Sequence, residues 1–358
     1  MVAAAGALVA AAGAAALGGS SHTGGARAAR SAARYFLHHY EQPDGRVVRW
    51  DQGGDTVSEG QGYAMLVAAA IGDRRRFAAA WSWSRTHLLQ PDGLLAWHYA
   101  HGQVVGHQPS ADADLDVAWA LTVGARRFAD PAYRRAAQSM ADAILTHEVQ
   151  QVAGRPVLLA GPWAAGRDPV IDPSYLAPSD LEALATLGPH RSTWRALSTS
   201  STDLLRQLLR GRHLPPEWAQ VSTTGAVAAT GPPSNPGGRP TYGFGAVRVP
   251  VRLAAACNAE DVSLAGSLWP VLARQLARHR PLVGLRLRGT PRRSASPAPV
   301  GLVGAAGAAA AAGHQHRAGA LLAEAARRNL AAPTYYGSAW VALGRILLQT
   351  SDLGSCPP

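Results

Sequence analysis

The chain has 358 residues, of which 47% are hydrophobic and 16% are charged, so it can bury a large core in one domain or two. Its formal net charge is +11, and all 34 basic residues are arginine. Because the arginines are spread along the chain with only short runs such as 74–76, they do not form the clustered basic face of a nucleic-acid binder. We therefore expect no nucleic-acid partner.

The N-terminal segment is rich in alanine and glycine and carries no charge before Arg27. It has the length of the apolar part of a signal peptide but lacks a basic leader, and it is only weakly apolar for a membrane-spanning helix. We expect residues 1–25 to be a flexible tail or a remnant export signal. The protein would then be secreted or at the cell surface, with no integral membrane span.

Apolar residues recur at three- and four-residue spacing along most of the chain, which indicates helices, whereas strand-like alternation is scarce. Breaks at glycine, proline and turn residues delimit the segments. The predicted helices cover 26–40, 58–71, 73–88, 111–126, 130–147, 178–187, 191–210, 245–257, 259–279, 300–312, 315–329 and 334–349.

About twelve helices joined by loops of unequal length fit an all-α fold, an (α/α)6 barrel. Alternate helices would form an inner ring, and the long loops would gather at one end to shape a cleft. An α-solenoid is the competing fold, but the sequence shows no fixed period. We expect one barrel domain over residues 26–350 and a monomer. The sequence leaves open whether the two cysteines, Cys257 and Cys356, pair.

Glu59 is the single carboxylate in the stretch V-S-E-G-Q-G-Y-A-M, residues 57–65, at the start of a predicted helix. We expect Gly60 and Gly62 to leave open space beside it. In a cleft near aromatic rings the charged form of a glutamate is disfavoured and its pKa rises. A proton donor for glycosidic bond cleavage needs that property.

Three aspartates, Asp112, Asp114 and Asp116, alternate with small or apolar residues in P-S-A-D-A-D-L-D-V-A-W-A-L. Acidic residues at a helix N-terminus are favoured by the helix dipole and cap free N–H groups, which accounts for one or two of them. On a helix, Asp112 and Asp116 share a face and Asp114 points elsewhere. An acid such as Glu59 with an ionised Asp112 is a glycosidase pattern; capping and solvated turns are the alternative.

Other motifs point to no metal or cofactor. His314 and His316 have no third ligand at a suitable spacing. The run G-L-V-G-A-A-G at 301–307 lacks the preceding strand and the ending of a phosphate-binding loop, and Ser58 lacks the context of a serine nucleophile. Trp97 follows a turn signal, and its ring suits stacking against the apolar face of a sugar.

Five motifs occur in an order that resembles glycoside hydrolase family 8, the family of bacterial endoglucanases and related chitosanases and xylanases. They are S-E-G-Q-G-Y-A-M, A-D-A-D-L-D-V-A-W-A-L, D-P-S-Y-L-A-P at 172–178, Y-G-F-G-A-V-R-V-P at 242–250 and T-Y-Y-G-S-A-W at 334–340. The resemblance runs from about residue 30 to 349. It implies an (α/α)6 barrel that hydrolyses β-1,4-linked glucan or a related polysaccharide with inversion at the anomeric carbon.

The resemblance also implies roles for individual residues. Glu59 would be the general acid, and Asp112 would bind the sugar at the cleavage point. Arg248 and Tyr336 would line the same region, and Trp97 would be a stacking platform. A further substrate-site residue, Tyr175, would support the cleft wall.

One position departs from the family pattern. The aspartate that acts as general base three residues before the arginine of the fourth motif is replaced by Gly245, which cannot accept a proton. Three explanations stay open: the base is supplied elsewhere, with Asp55, Asp116 and Asp172 as candidates; the protein is a degenerate member that binds β-glucan with little or no turnover; or the glycine is an engineered or sequence-level change. An all-α scaffold for protein partners is the remaining hypothesis from another class.

Overall fold

The computed structural model describes residues 12–354, in which there are thirteen α-helices. Their bounds are α1 (Ala12–Tyr40), α2 (Ser58–Ile71), α3 (Arg74–His87), α4 (Ala111–Arg127), α5 (Pro131–His147), α6 (Pro178–Leu184), α7 (Arg191–Leu208), α8 (Val249–Ala254), α9 (Ala259–Ser267), α10 (Trp269–Ala277), α11 (Pro299–Ala311), α12 (Gln315–Ala331) and α13 (Tyr335–Gln349).

Ten short strands lie between the helices and form four small antiparallel sheets within the described range. The sheet orders are β1-β2-β3, β4-β5, β6-β7-β8 and β10-β9. The strands are β1 (Thr56–Val57), β2 (His98–Ala100), β3 (Gln103–Gly106), β4 (Val149–Val152), β5 (Arg155–Leu158), β6 (Val170–Ile171), β7 (Trp218–Val221), β8 (Val227–Thr230), β9 (Val283–Leu285) and β10 (Pro291–Ser296).

Six helices form a closed inner ring. Each of α2, α4, α6, α8, α11 and α13 contacts the next, and α13 contacts α2, which closes the circle. These helices are buried on nearly all sides, whereas outer helices such as α5 and α7 bury one face. The predicted (α/α)6 barrel is thus confirmed.

Small residues let the inner helices approach closely. A Cβ added at Gly307 of α11 would stand 2.6 Å from the carbonyl oxygen of Pro250 in α8, closer than any real contact allows. A glycine inside a helix costs about 1 kcal/mol relative to alanine in propensity, so here packing outweighs propensity. The alanine- and glycine-rich segment of α11 is accordingly a core helix.

The connections from each outer helix to the next inner helix carry all ten described strands. Since successive inner helices are separated by an outer helix, these connections meet at one end of the barrel. The N-termini of the inner helices therefore surround the same opening, and their unpaired N–H groups favour negative charge there.

Most predicted helix boundaries agree with the structure within a few residues. Two helical segments differ, and most of the strands were not predicted. The first helix extends N-terminally beyond residue 26 and includes the described residues from Ala12. The segment predicted as 259–279 is two helices, because Pro270, at the start of α10, has no N–H to continue α9. The strands were largely missed, because two to six residues are too few to show alternation.

Two further points concern cysteine and hydropathy. Cys257 is disulfide-bonded, and Cys356 lies outside the described residues, as do residues 1–11 of the predicted tail.

Among the described helices, none combines the length and the apolar character needed to cross a bilayer.

Candidate active site

The predicted site residues converge at the N-terminal ends of the inner helices. Glu59 lies in the first turn of α2, and Asp112 lies in the first turn of α4. Arg248 ends the short 3-10 helix that leads into α8, and Tyr336 lies in the first turn of α13. Residues up to 277 positions apart in sequence thus share one end of the barrel.

Arg248 is the centre of this cluster. Its side chain is only 4% exposed, and its Nη1 donates to Glu59 Oε2 at 3.1 Å and to Asp112 Oδ2 at 2.8 Å. The same nitrogen donates to the Tyr63 hydroxyl at 3.0 Å. A guanidinium has a rigid planar array of donors, so it fixes the two carboxylates relative to each other.

The other edge of the guanidinium faces the loop before α6. Nε and Nη2 of Arg248 donate to Ser174 Oγ at 3.1 and 2.6 Å. The Tyr175 ring packs against the guanidinium, with the Cζ atom 5.4 Å from the ring centroid. The Tyr175 hydroxyl lies 3.2 Å from Ser110 Oγ. Tyr175 therefore contacts both Arg248 and Ser110 beside the site.

Glu59 has the environment of a proton donor. Its side chain is 24% exposed and borders a cavity of about 440 Å³ that Tyr335, Tyr336 and Phe244 also line. Burial raises the pKa of Glu59 to about 7; Arg248 opposes the rise and Asp112 adds to it. Around neutral pH a substantial fraction of Glu59 is thus protonated and faces open space.

Asp112 is held in a single orientation. Its Oδ1 accepts from Ser110 Oγ at 2.7 Å and from the Ala113 N–H at 2.9 Å, and its Oδ2 accepts from Arg248. The side chain is almost fully buried. Three donors on its two oxygens thus fix the Asp112 carboxylate, which suits an anchor for a substrate.

The expectation of open space beside Gly60 and Gly62 is wrong. A Cβ at Gly60 would lie 2.7 Å from the Tyr335 hydroxyl, and one at Gly62 would lie 3.1 Å from Asp116 Cβ. The glycines let a tyrosine and helix α4 approach the backbone of α2. They increase the burial of Glu59 and do not expose it.

The two remaining predicted substrate-binding residues, Trp97 and Tyr336, lie around the same opening. The Trp97 carbonyl accepts from the Ser58 N–H at 3.0 Å, and its indole is 40% exposed. The Tyr336 hydroxyl donates to the Phe244 carbonyl at 2.9 Å, which ties α13 to the loop before α8. Stacking of a sugar on Trp97 stays a prediction.

Sequence reasoning missed three residues of the site. Tyr63 and Ser174 bind Arg248 directly, and Phe244 lines the cavity with its ring 48% exposed. All three stand inside the motifs S-E-G-Q-G-Y-A-M, D-P-S-Y-L-A-P and Y-G-F-G-A-V-R-V-P. The motifs marked the right segments, but only the fold shows which side chains meet.

Asp116 and Asp114 have structural partners below the site. Arg252 Nη2 donates to both oxygens of Asp116, at 3.0 and 2.8 Å, and its Nη1 donates to Asp180 at 3.1 Å. All three side chains are buried, so this group joins α4, α6 and α8. Asp114 points elsewhere and accepts from the Leu95 N–H at 2.8 Å.

The described part of the chain contains no cluster of three or more His, Cys, Asp or Glu residues that could hold a metal ion. The polar groups of the site instead include the carboxylates of Glu59 and Asp112, the guanidinium of Arg248, and hydroxyl groups. Arg49 and Asp51 also line the open cavity. Such a set suits acid-assisted cleavage of a neutral, polyhydroxylated substrate.

The family model of the glycosyl hydrolases family 8 matches residues 13–235 of the sequence. This chain belongs to glycosyl hydrolase family 8. The match ends before Gly245 and Arg248, so it covers the segments of Glu59 and Asp112 but not the fourth motif.

Curated relatives of this family 8 chain include a probable endoglucanase from Novacetimonas hansenii, 34% identical over 235 residues, which are 60% of this chain and 64% of that protein. An endoglucanase from Cellulomonas uda is 30% identical over 221 residues, 59% of each chain. The chain thus spans about three fifths of the length of these relatives.

Solved structures of the family share the fold. An endo-beta-1,4-glucanase from Acetobacter xylinum is 26% identical with a TM-score of 0.70, covering 89% of this chain and 97% of that chain. A beta-1,3-1,4-glucanase from Paenibacillus sp. X4 has a TM-score of 0.80 over 92% of each chain at 17% identity, a likeness of fold alone.

Proposed function

We propose that this family 8 protein hydrolyses β-1,4-glycosidic bonds in a cellulose-like glucan with inversion of configuration, with Glu59 as the general acid. The observation that carries the proposal is the placement of a partly buried, protonatable Glu59 beside Asp112 on one guanidinium, at the rim of an open cavity. The endoglucanases similar to this chain support the substrate class.

In this mechanism Glu59 gives its proton to the glycosidic oxygen as the bond to the anomeric carbon breaks. Asp112 binds the sugar at the cleavage point and stabilises the positive charge that develops on its ring. Arg248 holds both carboxylates in place, and Trp97 and Tyr336 contact neighbouring sugar rings. Water attacks from the opposite face, so a base is also required.

Gly245 favours a second candidate, a degenerate member that binds β-glucan with little or no turnover. General base catalysis contributes about 10²–10⁴-fold, so a site without a base would retain affinity and lose most of its rate. In that case Gly245→Asp should restore activity, because it returns a carboxylate to the position where the family carries one.

Two assays on the whole chain separate these candidates. The hydrolase is supported if the parent releases reducing sugar from carboxymethyl cellulose and Glu59→Gln lowers the rate of that release at least 100-fold. Equal rates in parent and variant would refute Glu59 as the acid. Calorimetric titration with cellohexaose that shows binding without turnover supports the degenerate member, and no binding at all favours a protein scaffold. The anomer released, followed by NMR, tests inversion.

We also propose a secreted or cell-surface location and a monomeric state. A polysaccharide does not cross a membrane, so an enzyme that cuts it must meet it outside the cell. Fractionation of cells expressing the chain, and its sedimentation coefficient, test these two points.

A further inference from the structure

A side chain at position 245 would begin close to the carboxylate of Asp172. A Cβ built on Gly245 would stand 3.6 Å from Asp172 Oδ2 and 3.7 Å from both Arg248 Nη2 and Ser174 Oγ. These are ordinary contact distances, so a Cβ at position 245 would displace none of its neighbours. A carboxylate from a different segment already borders the space that a residue-245 side chain would enter.

We propose that Asp172 is the general base of this protein, replacing a carboxylate at position 245. The inference rests on the proposed function, since a base acts only in a hydrolase. It also adds a catalytic residue to the loop before α6, a segment that otherwise braces Arg248.

The local structure fixes the orientation of Asp172. It precedes the 3-10 helix of residues 173–175, and its Oδ1 accepts from the Ser174 N–H at 2.8 Å. That bond holds Oδ1 toward its own loop and leaves Oδ2 on the side of Gly245. One oxygen is thus a cap, and the other faces position 245 and the guanidinium of Arg248.

The arrangement places acid and base on different edges of one guanidinium. Glu59 accepts from Nη1 of Arg248, whereas Nη2 and Nε bind Ser174, next to Asp172. An inverting site needs its two carboxyl groups separated by roughly 6.5–9.5 Å, so that water fits beneath the anomeric carbon. The position of the two carboxylates toward different nitrogens of Arg248 keeps them out of direct contact with each other.

Three other carboxylates near the site are engaged elsewhere. Asp116 is buried and bound by both of its oxygens to Arg252. Asp55 accepts from Arg49 and His98, and these hydrogen bonds and charges lower its pKa, which makes it a weak base. Glu217 accepts from the Gly245 N–H at 3.1 Å and from Thr241, so it lies against the backbone of the loop.

The charge state of Asp172 suits the role. Burial raises its pKa to about 7, with Arg248 and the hydrogen bonds to Ser174 opposing the rise. A base with such a pKa accepts a proton far more readily than an ordinary aspartate. Because the pKa of Glu59 also lies at about 7, the form with Glu59 protonated and Asp172 ionised is most populated near pH 7.

The reaction balances with these two groups alone. Glu59 transfers its proton to the glycosidic oxygen as that oxygen leaves the anomeric carbon. The water oxygen bonds to the anomeric carbon from the other face and loses a proton to Asp172 Oδ2. Glu59 ends ionised and Asp172 protonated, and exchange of one proton with solvent restores both.

The test measures cellohexaose hydrolysis by the full chain from pH 4 to 9, with Asp172→Asn as the main variant. Asparagine retains an oxygen that caps the 3-10 helix, so folding should be preserved. We expect kcat to fall about 10²–10⁴-fold, KM to stay within about threefold, and the low-pH limb of the profile to vanish. A second change, Gly245→Asp, made in Asp172→Asn should recover at least tenfold in kcat and restore that limb.

Two controls make the outcome decisive. Glu217→Gln, on the other side of Gly245, should leave kcat within about threefold. In the otherwise unchanged chain, Gly245→Asp places a second negative charge beside Asp172 and should move the low-pH limb to higher pH. This last variant keeps Asp172 itself, so an unmoved low-pH limb would count against Asp172 as the base even if Asp172→Asn does not fold.

The results distinguish failure of the base from failure of the proposed function. If Glu59→Gln loses activity and folded Asp172→Asn keeps it, Asp172 is not the base and the hydrolase stands. If Glu217→Gln is the variant that loses activity, the base is Glu217. A parent chain that binds cellohexaose without cutting it overturns both proposals.

Discussion

Replacing Glu59 by glutamine should stabilise the fold, and only at high pH. The pKa of Glu59 rises from 4.5 to about 7 because of burial. A raised pKa means that the contribution of Glu59 to stability is fully present below pH 4.5 and is lost as the pH rises through 7. Glutamine does not ionise, so the variant avoids this loss.

The size of the effect follows from the pKa. The rise from 4.5 to about 7 corresponds to about 3 kcal/mol, at about 1.4 kcal/mol per pKa unit. A quarter of the side chain is exposed and screened by water, so we expect a gain of about 1–3 kcal/mol at pH 8.5 and almost none at pH 4.5. The stability so lost is the cost of holding a proton donor in a partly buried position.

Urea unfolding at pH 4.5, 7 and 8.5, followed by circular dichroism, measures this difference. Glu324→Gln is a control of opposite sign, because hydrogen bonds to Arg327 and Arg328 lower the pKa of that exposed glutamate. A Glu59→Gln variant that is less stable than the parent at pH 8.5, or whose stability difference does not change with pH, would refute the reasoning.

Three further predictions concern packing and substrate contact. Arg252→Met should lower the unfolding free energy by about 3–5 kcal/mol in urea titrations, because it leaves two buried carboxylates without a counter-charge; a loss below 1 kcal/mol would contradict that account. Gly307→Ala should lower the free energy of unfolding by about 1–3 kcal/mol, because the new Cβ would overlap the Pro250 carbonyl. Gly319→Ala in α12 should raise the free energy of unfolding by about 0.5–1 kcal/mol, because a Cβ there meets nothing within 4 Å. Equal effects of the two variants in thermal melts would contradict the packing account. Trp97→Ala should raise KM for cellohexaose about three- to tenfold without lowering the melting temperature, and an unchanged KM would remove the stacking role.

The sequence was sufficient for the helices because their apolar spacing repeats over many turns. Glu59 and Asp112 could also be selected from the sequence, because glycines and alternating aspartates at the start of a helix are unusual. Both residues also lie in motifs that resemble those of the family. The pairing of both carboxylates with Arg248 depends on ring closure, which no local pattern records.

Two features could not be predicted from local sequence. The glycines beside Glu59 looked like an opening, but Tyr335 fills that space from a helix 276 residues away, and only the tertiary contact reveals it. The relation of Gly245 to Asp172 is also tertiary, since 73 residues separate them and a missing Cβ leaves no trace in sequence of what it would touch.

The long sequence separation within the Arg248 cluster has a consequence during synthesis. Glu59 and Asp112 leave the ribosome well before Arg248, which follows Glu59 by 189 residues. Until that arginine arrives, the two anionic groups have nothing at this position to neutralise them, and the ring cannot close before α13 docks on α1 and α2. The Arg248 cluster and the closed ring can therefore assemble only after nearly the whole barrel, through α13, has been synthesised.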